Sequence, residues 1–253
     1  MQTFVRNFIV PVLAEHGLTR VCEIGASRGS SSQLLASLPC GSLTVIDPCL
    51  DLDLEKKFSG AAQVTVRKGI SLEVLPRLDD AFDCILIDGD HNWYTVYHEL
   101  KIVYERELLR RGGIVFFHDI EWPWGRRDLY YQPETIPAAA RHPWSQRGVV
   151  QGRSGLSDRG GFYSGGTPRA AHEGGARNGV LTAIEDFLLE HKGEYEFLHL
   201  TGDSGLGIMY RLDNSTEDRK ILSIKRKARM HNFLTYPKAL AKAAYHRAGK
   251  QIL

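Results

Sequence analysis

Residues 21–35 read VCEIGASRGSSSQLL. An apolar run stops at an acid, Glu23, and two glycines, Gly25 and Gly29, follow four apart. A serine-rich stretch then leads into Leu34 and Leu35. The order is strand, tight turn, helix. A helix starting at Ser30 would aim free backbone N–H groups at the turn, and the glycines allow close approach there. Such a site favours an anionic or strongly polar ligand end. Glu23, just before it, suits a cationic or hydroxyl-bearing group. Asp47 closes the next apolar run, SLTVID at 42–47. An acid at that strand end can accept both hydrogen bonds of a ribose diol. The pattern describes a site for a nucleotide-containing cofactor.

Dinucleotide cofactors favour GxGxxG, which seats a pyrophosphate on the helix end. This chain has Gly25-Ala26-Ser27-Arg28-Gly29 with an acid at 23. A pyrophosphate would meet unfavourable charge. S-adenosylmethionine presents an ammonium, a carboxylate, a ribose and a sulfonium cation, and Glu23, the glycine turn and Asp47 suit it better.

Outward from that stretch, short apolar runs alternate with helical patterns. Strands are expected at 19–24, 42–47, 63–67, 82–88 and 113–118, and helices at 2–16, 30–38, 51–58, 71–78, 92–110 and 178–191. The strands are rich in Val and Ile without strict alternation, as in a sheet covered on both faces. Their spacing argues right-handed βαβ units. EYEFLHL (194–200) and LGIMYR (206–211), joined by TGDSG, read as an antiparallel hairpin at the sheet edge. The domain is expected to span 1–215. Within it, 119–177 is an inserted lid or substrate wall, with a dimerisation arm as the alternative, because so long a segment without regular structure is unusual unless it does something.

The 253 residues are 43% apolar and 25% charged, enough for a full core and unlike a disordered chain. Cys22, Cys40, Cys49 and Cys84 have neither metal-ligand nor disulfide spacing. The start lacks a signal-peptide layout and no apolar run reaches membrane-spanning length. The expectation is a cytoplasmic protein with no membrane partner. Residues 216–253 hold ten Lys/Arg against two acids, so this basic tail is +8 and the remainder −6. It reads as a solvated amphipathic helix pair packing through Leu222, Ile224, Phe233, Leu234 and Leu240, or as a contact for an anionic partner.

Five motifs in order resemble one family: VCEIGASRG, TVID, RKGISLEVLPRL, FDCILIDGDHNWYTVYHEL and LLRRGGIVFFHD. The chain resembles class I S-adenosylmethionine-dependent methyltransferases of the methyltransferase family 24 type over residues 20–120, and more loosely over 178–211. The resemblance implies an α/β Rossmann-like sheet of order 3-2-1-4-5-7-6 with the last strand antiparallel. It implies that Glu23 and Gly25 line the methionine end, with Ala26, Ser27, Gly29, Ser30 and Ser31 completing the turn. Asp47 would take the ribose, Gly69, Ile70 and Ser71 the adenine, and Asp88 and His91 the cofactor's edge.

A hydroxyl nucleophile must be positioned and must lose its proton. Asp88, Asp90 and His91 follow strand four, and His118 and Asp119 end strand five. A divalent metal such as Mg²⁺ could sit on Asp88 or Asp90 with Asp119, activating a substrate oxygen; His118 points instead toward Mn²⁺ or Fe²⁺. The metal-free alternative is a histidine base: His91, His118, or His172 beside Glu173. Asp88 also reads as a helix cap. In the insert, Trp122, Trp124, Tyr130 and Tyr131 could stack on an aromatic ring or a sugar face. Arg126, Arg127, Arg153, Arg169 and Arg177 could hold a carboxylate or phosphate. The expectation is a homo-oligomeric O-methyltransferase for a small sugar or phenolic natural product. N-methylation, a nicotinamide-dependent reductase and a nucleic-acid binder using the tail are competing readings. The last is weakened by the acidic body.

Overall fold

The computed structural model describes residues 1–38, 41–49, 58, 63–163, 166–212 and 219–247, with side chains to residue 235. Seven strands form the main sheet: β1 (Arg20–Ile24), β2 (Ser42–Asp47), β3 (Val64–Lys68), β4 (Phe82–Ile87), β5 (Leu109–His118), β8 (Tyr195–Leu200) and β9 (Leu206–Arg211). Their order is β3-β2-β1-β4-β5-β9-β8. The first five are parallel; β9 runs antiparallel to β5 and to β8. Counting only these seven, the order is the expected 3-2-1-4-5-7-6. β6 (Trp144–Ser145) and β7 (Arg169–Ala170) make a separate two-stranded ribbon inside the insert.

The unalternating apolar strands follow from two covered faces. Cys22, Ile24, Ile85, Ile87, Val115 and Phe117 pack on the side of the helices Trp93–Glu105 and Val180–Glu190. Val21, Cys84, Leu86 and Phe116 pack on the other side, under the amino-terminal helical segment and the first turns of the carboxy-terminal helix. The strand carboxyl ends, where α/β sheets bind ligands, carry Glu23, Asp47, Asp88 and His118.

Several expectations shift in detail. The first helix is split into Gln2–Phe4, a π-helical turn Val5–Ile9 and Val10–His16; Pro11, lacking an N–H, breaks the ladder there. The helix expected at 71–78 is an α-turn, Ser71–Val74, followed by a 3₁₀ turn, Leu75–Arg77, at Pro76. β5 starts earlier than expected, because Leu109 pairs with Phe82 ahead of a register shift and Ile114 with Cys84 after it. The helix expected at 51–58 lies outside the described residues except for Phe58. The tail is one helix, Arg219–Arg247, rather than a pair. Ile221, Ile224 and Ala228 are buried, whereas Leu222, Phe233 and Leu234 face solvent and do not pack. No described helix is long and apolar enough to cross a membrane.

Candidate active site

The turn after β1 is built around a steric demand. Gly25 has φ +87°, and a Cβ there would lie 2.3 Å from Gly89 Cα and 2.4 Å from the Asp88 carbonyl oxygen. Only glycine lets the β1 and β4 exits come so close. Gly25 N donates to the Ile46 carbonyl and Asp88 N to the Ile24 carbonyl, both at 2.9 Å, so three strand ends are tied together. Gly29, at φ +72°, caps the helix Ser30–Ala36.

Asp47 is more engaged than the sequence suggests. Its Oδ2 accepts from Ala26 N and Ser27 N, each at 2.8 Å, and its Oδ1 from Cys49 N at 2.7 Å. It therefore staples the glycine turn to β2. A carboxylate has about four acceptor positions, so a place for a ribose hydroxyl remains. Glu23 is buried and accepts from the Ser32 hydroxyl. Burial, with the charges of Asp88 and Asp47, pushes its carboxyl up to about 8 against the opposing Ser32 bond. Ser27 and Ser30 are exposed beside it and Ser31 is half-buried. Beyond the carboxyl end of β3, Gly69 is half-buried, Ile70 exposed and Ser71 buried.

Four side chains from the ends of β4 and β5 meet. His91 Nε2 lies 2.9 Å from Asp119 Oδ2 and 3.5 Å from Asp88 Oδ1. His118 Nδ1 lies 2.9 Å from Asp119 Oδ2 and 3.1 Å from Asp88 Oδ1. His118 Nε2 donates to the Asp203 carbonyl at 2.8 Å. Asp119 has φ +59°, a left-handed conformation that Asp tolerates better than most residues. Burial alone would favour the neutral forms of all four, but mutual attraction outweighs it. Both aspartates are held below the usual carboxylate range, His118 is raised to about 9, and His91 is raised well above its ordinary value. The two carboxylates favour protonated imidazoles, while the Met1 amino group, 2.8 Å from His118 Nε2, opposes a charge on that ring.

Asp90 does not join them. Its oxygens accept from Thr95 Oγ1 at 2.8 Å and from His91 N at 3.1 Å, while Asn92 caps the helix through Thr95 N. His172 is exposed and lies on a β-bridge to Gly155, outside the cluster.

The insert is knitted rather than structureless. Asp128, fully buried, accepts from Trp93 N, Gly179 N and the Tyr130 hydroxyl at 2.7, 2.6 and 2.9 Å. Arg127 donates to the Ala170 and Ser154 carbonyls, and Arg169 to those of Tyr163 and Thr167. Both arginines are buried, Arg126 pairs with Glu185, and Arg177 lies over the Trp93 ring. Four of the five arginines expected for an anionic substrate are thus committed to the fold. Trp124 and Tyr130 are also buried; Tyr131 is half exposed and its hydroxyl sits 3.3 Å from His91 Nδ1. The insert backbone reaches the same turn, with Leu129 N donating to the His91 carbonyl at 3.0 Å.

Sequence reasoning passed over Asp128 and Glu99. Glu99 is fully buried, and burial pushes its carboxyl up to about 8 against the neighbouring Ser71 hydroxyl, which favours the ionised form. An acid at an inward position of the helical pattern was the available signal for it.

A seven-stranded sheet of this order, with a glycine turn after β1 and acids at the ends of β2, β4 and β5, is the class I, Rossmann-like methyltransferase fold. Residues 22–120 match the model of methyltransferase family 24, described as a methyltransferase domain. The matched segment runs from β1 to the end of β5, so this part of the chain is similar to family 24 methyltransferase domains. Similar solved structures include an S-adenosylhomocysteine-bound methyltransferase, PaMTH1, from Podospora anserina, with 14% identity, TM-score 0.52 and coverage of 81% of this chain and 77% of that one. A Staphylococcus aureus protein named as a caffeoyl-CoA O-methyltransferase shows 17% identity, TM-score 0.50 and 81% coverage of both chains. At these identities the likeness is one of fold. No curated protein matches the chain.

Proposed function

We propose that the enzyme transfers the methyl group of S-adenosylmethionine to a hydroxyl oxygen of a small sugar or phenolic molecule, and that the Asp88–His91–His118–Asp119 cluster prepares that oxygen. The supporting observation is the meeting of two carboxylates and two imidazoles at the β4 and β5 ends, beside the glycine turn of β1. Glu23 and Gly25 would hold the methionine end within the turn Ala26–Ser31, Asp47 the ribose, and Gly69, Ile70 and Ser71 the adenine, with Asp88 and His91 at the edge. Two features fit that cofactor. A side chain at 25 would fill the cradle, and Glu23 is a buried acid whose ionised form lacks a cation. An ammonium beside it would draw its pKa down. S-adenosylmethionine supplies the electrophilic methyl group.

Asp88, His118 and Asp119 each offer one ligand atom, all within 4.8 Å of one another, and would hold a divalent cation. Two carboxylate oxygens and one imidazole nitrogen suit Mn²⁺ or Fe²⁺ better than Mg²⁺. Such an ion would lower the pKa of the acceptor hydroxyl. Tyr131 places the insert at the same spot and would make it the acceptor wall. The Tyr131 contact also favours a second reading, in which the acceptor hydroxyl replaces Tyr131 at His91 Nδ1 and His91 is the base. His91 would first have to give up its proton, so that reading requires a rate that climbs into alkaline pH.

The test is transfer of labelled methyl from S-adenosylmethionine to panels of phenols and sugars, with Mn²⁺, Mg²⁺ or chelator. Metal-dependent transfer, lost in Asp119→Asn, is expected. Transfer indifferent to both chelator and Asp119→Asn would remove the cluster from the reaction.

A further inference from the structure

The carboxy-terminal helix has two different faces. Inward, Ile221, Ile224 and Ala228 pack on the core. Lys225 meets Glu196 at 3.0 Å, Lys227 meets Glu15 at 2.8 Å, and Asn232 bonds Thr201 N and the His199 carbonyl, which fixes the helix along this side. Outward, Leu222, Met230, Phe233 and Leu234 are 58%, 62%, 81% and 64% exposed. Arg226 and Arg229 lie among them, also exposed, with no ion pair or hydrogen bond to the body among the described residues. At 3.6 residues per turn these six share an arc of about 140°. The helix contains no acid from Arg219 to Arg247.

Large apolar side chains interleaved with exposed arginines on one helical face offer an apolar and a cationic contact together, because a long arginine stem can lie along apolar surface while its head stays with polar groups. We propose that this face docks the enzyme on an anionic lipid surface, with Arg226 and Arg229 at the phosphates and Leu222, Met230, Phe233 and Leu234 entering the boundary. The helix would lie on the bilayer, not cross it. A second copy paired through the same face would set arginine against arginine, since a two-fold contact is self-complementary. A nucleic acid would satisfy the guanidinium groups and leave Leu222, Met230 and Leu234 in water. The net charge of −6 on residues 1–215 repels an anionic surface elsewhere and confines the contact to this helix. This departs from the expectation of no membrane partner, which rested on the lack of a spanning segment.

The experiment is co-sedimentation of the full chain with vesicles of phosphatidylcholine plus phosphatidylglycerol, against vesicles of phosphatidylcholine alone. Binding to the anionic vesicles only, weakened by salt, is expected. Phe233→Ser should weaken it roughly tenfold or more, and each of Arg226→Glu and Arg229→Glu at least fivefold. These residues are exposed, so unchanged thermal melts would show that the variants still fold. Absence of anionic-vesicle binding, or binding that all three variants retain, would overturn the proposal. So would a lipid-free dimer, or nucleic-acid retention, that the same variants abolish.

Discussion

Asp119→Asn removes the carboxylate shared by both histidines, and the structure sets the size and pH window of the effect. His118 is raised from an ordinary 6.5 to about 9. A histidine whose folded pKa is raised contributes stability that is complete below its unfolded pKa and lost as pH climbs through the folded one. For Asp119 the sense is opposite. Its folded pKa is depressed, so its contribution is present above the unfolded 3.8 and lost as pH falls. The two windows overlap between about pH 4 and 6.5 and close above about pH 9. A shift of roughly 2.5 units at about 1.4 kcal/mol each bounds the His118 part at about 3.5 kcal/mol. Asp88 remains as a partner, so the loss near pH 6 should be about 2–3 kcal/mol, or roughly 4–12 °C in Tm for a chain of this size. At pH 10, above the raised His118 value, the difference should be smaller than at pH 6. The assay is a set of thermal melts of both proteins across this range in chelating buffer. Side-chain NMR of the histidines would show a lowered His118 pKa in the variant. A Tm difference independent of pH, or largest at pH 10, would refute the ion-pair account of the cluster.

Glu23→Gln should act in opposite senses with and without ligand. An acid raised to about 8 binds a proton that the unfolded chain has released, so it lowers stability as pH rises from 4.5 to 8. The variant should therefore melt higher than wild type at pH 8 while binding S-adenosylmethionine more weakly, as melts and calorimetry would show. Gly25→Ala drives a methyl into Gly89 and Asp88 at positive φ; a loss of about 2 kcal/mol or more and at least tenfold weaker cofactor binding are expected. Asp128→Ala strands two backbone N–H groups and the Tyr130 hydroxyl. It should cost roughly 2–4 kcal/mol and open residues 119–177 to limited proteolysis before the sheet unfolds.

The sheet was legible because its signals are local. Apolar runs ending in Glu23, Asp47, Asp88 and Asp119, each at a turn, describe parallel strands with functional carboxyl ends, and TGDSG between two short runs describes the edge hairpin. What escaped is non-local. Nothing in the sequence distinguishes Arg127 and Arg169, which bind carbonyls inside the insert, from an arginine that binds substrate. Asp47 looked free for a ribose because its bonds to Ala26 and Ser27 depend on how the glycine turn folds back. His91 and His118 read as candidate bases in the sequence; the two aspartates, acting against burial, favour their protonated forms instead. In the tail, Leu222, Phe233 and Leu234 looked like core, because helical periodicity shows that faces differ without showing which one the sheet covers.

The most direct test of the central claim is calorimetric titration of the purified protein with S-adenosylmethionine, with NAD⁺ in the same buffer as control. Saturable S-adenosylmethionine binding, weakened by Glu23→Gln, with no NAD⁺ signal is the result predicted. NAD⁺ binding with no response to S-adenosylmethionine, with and without Mn²⁺, would contradict it.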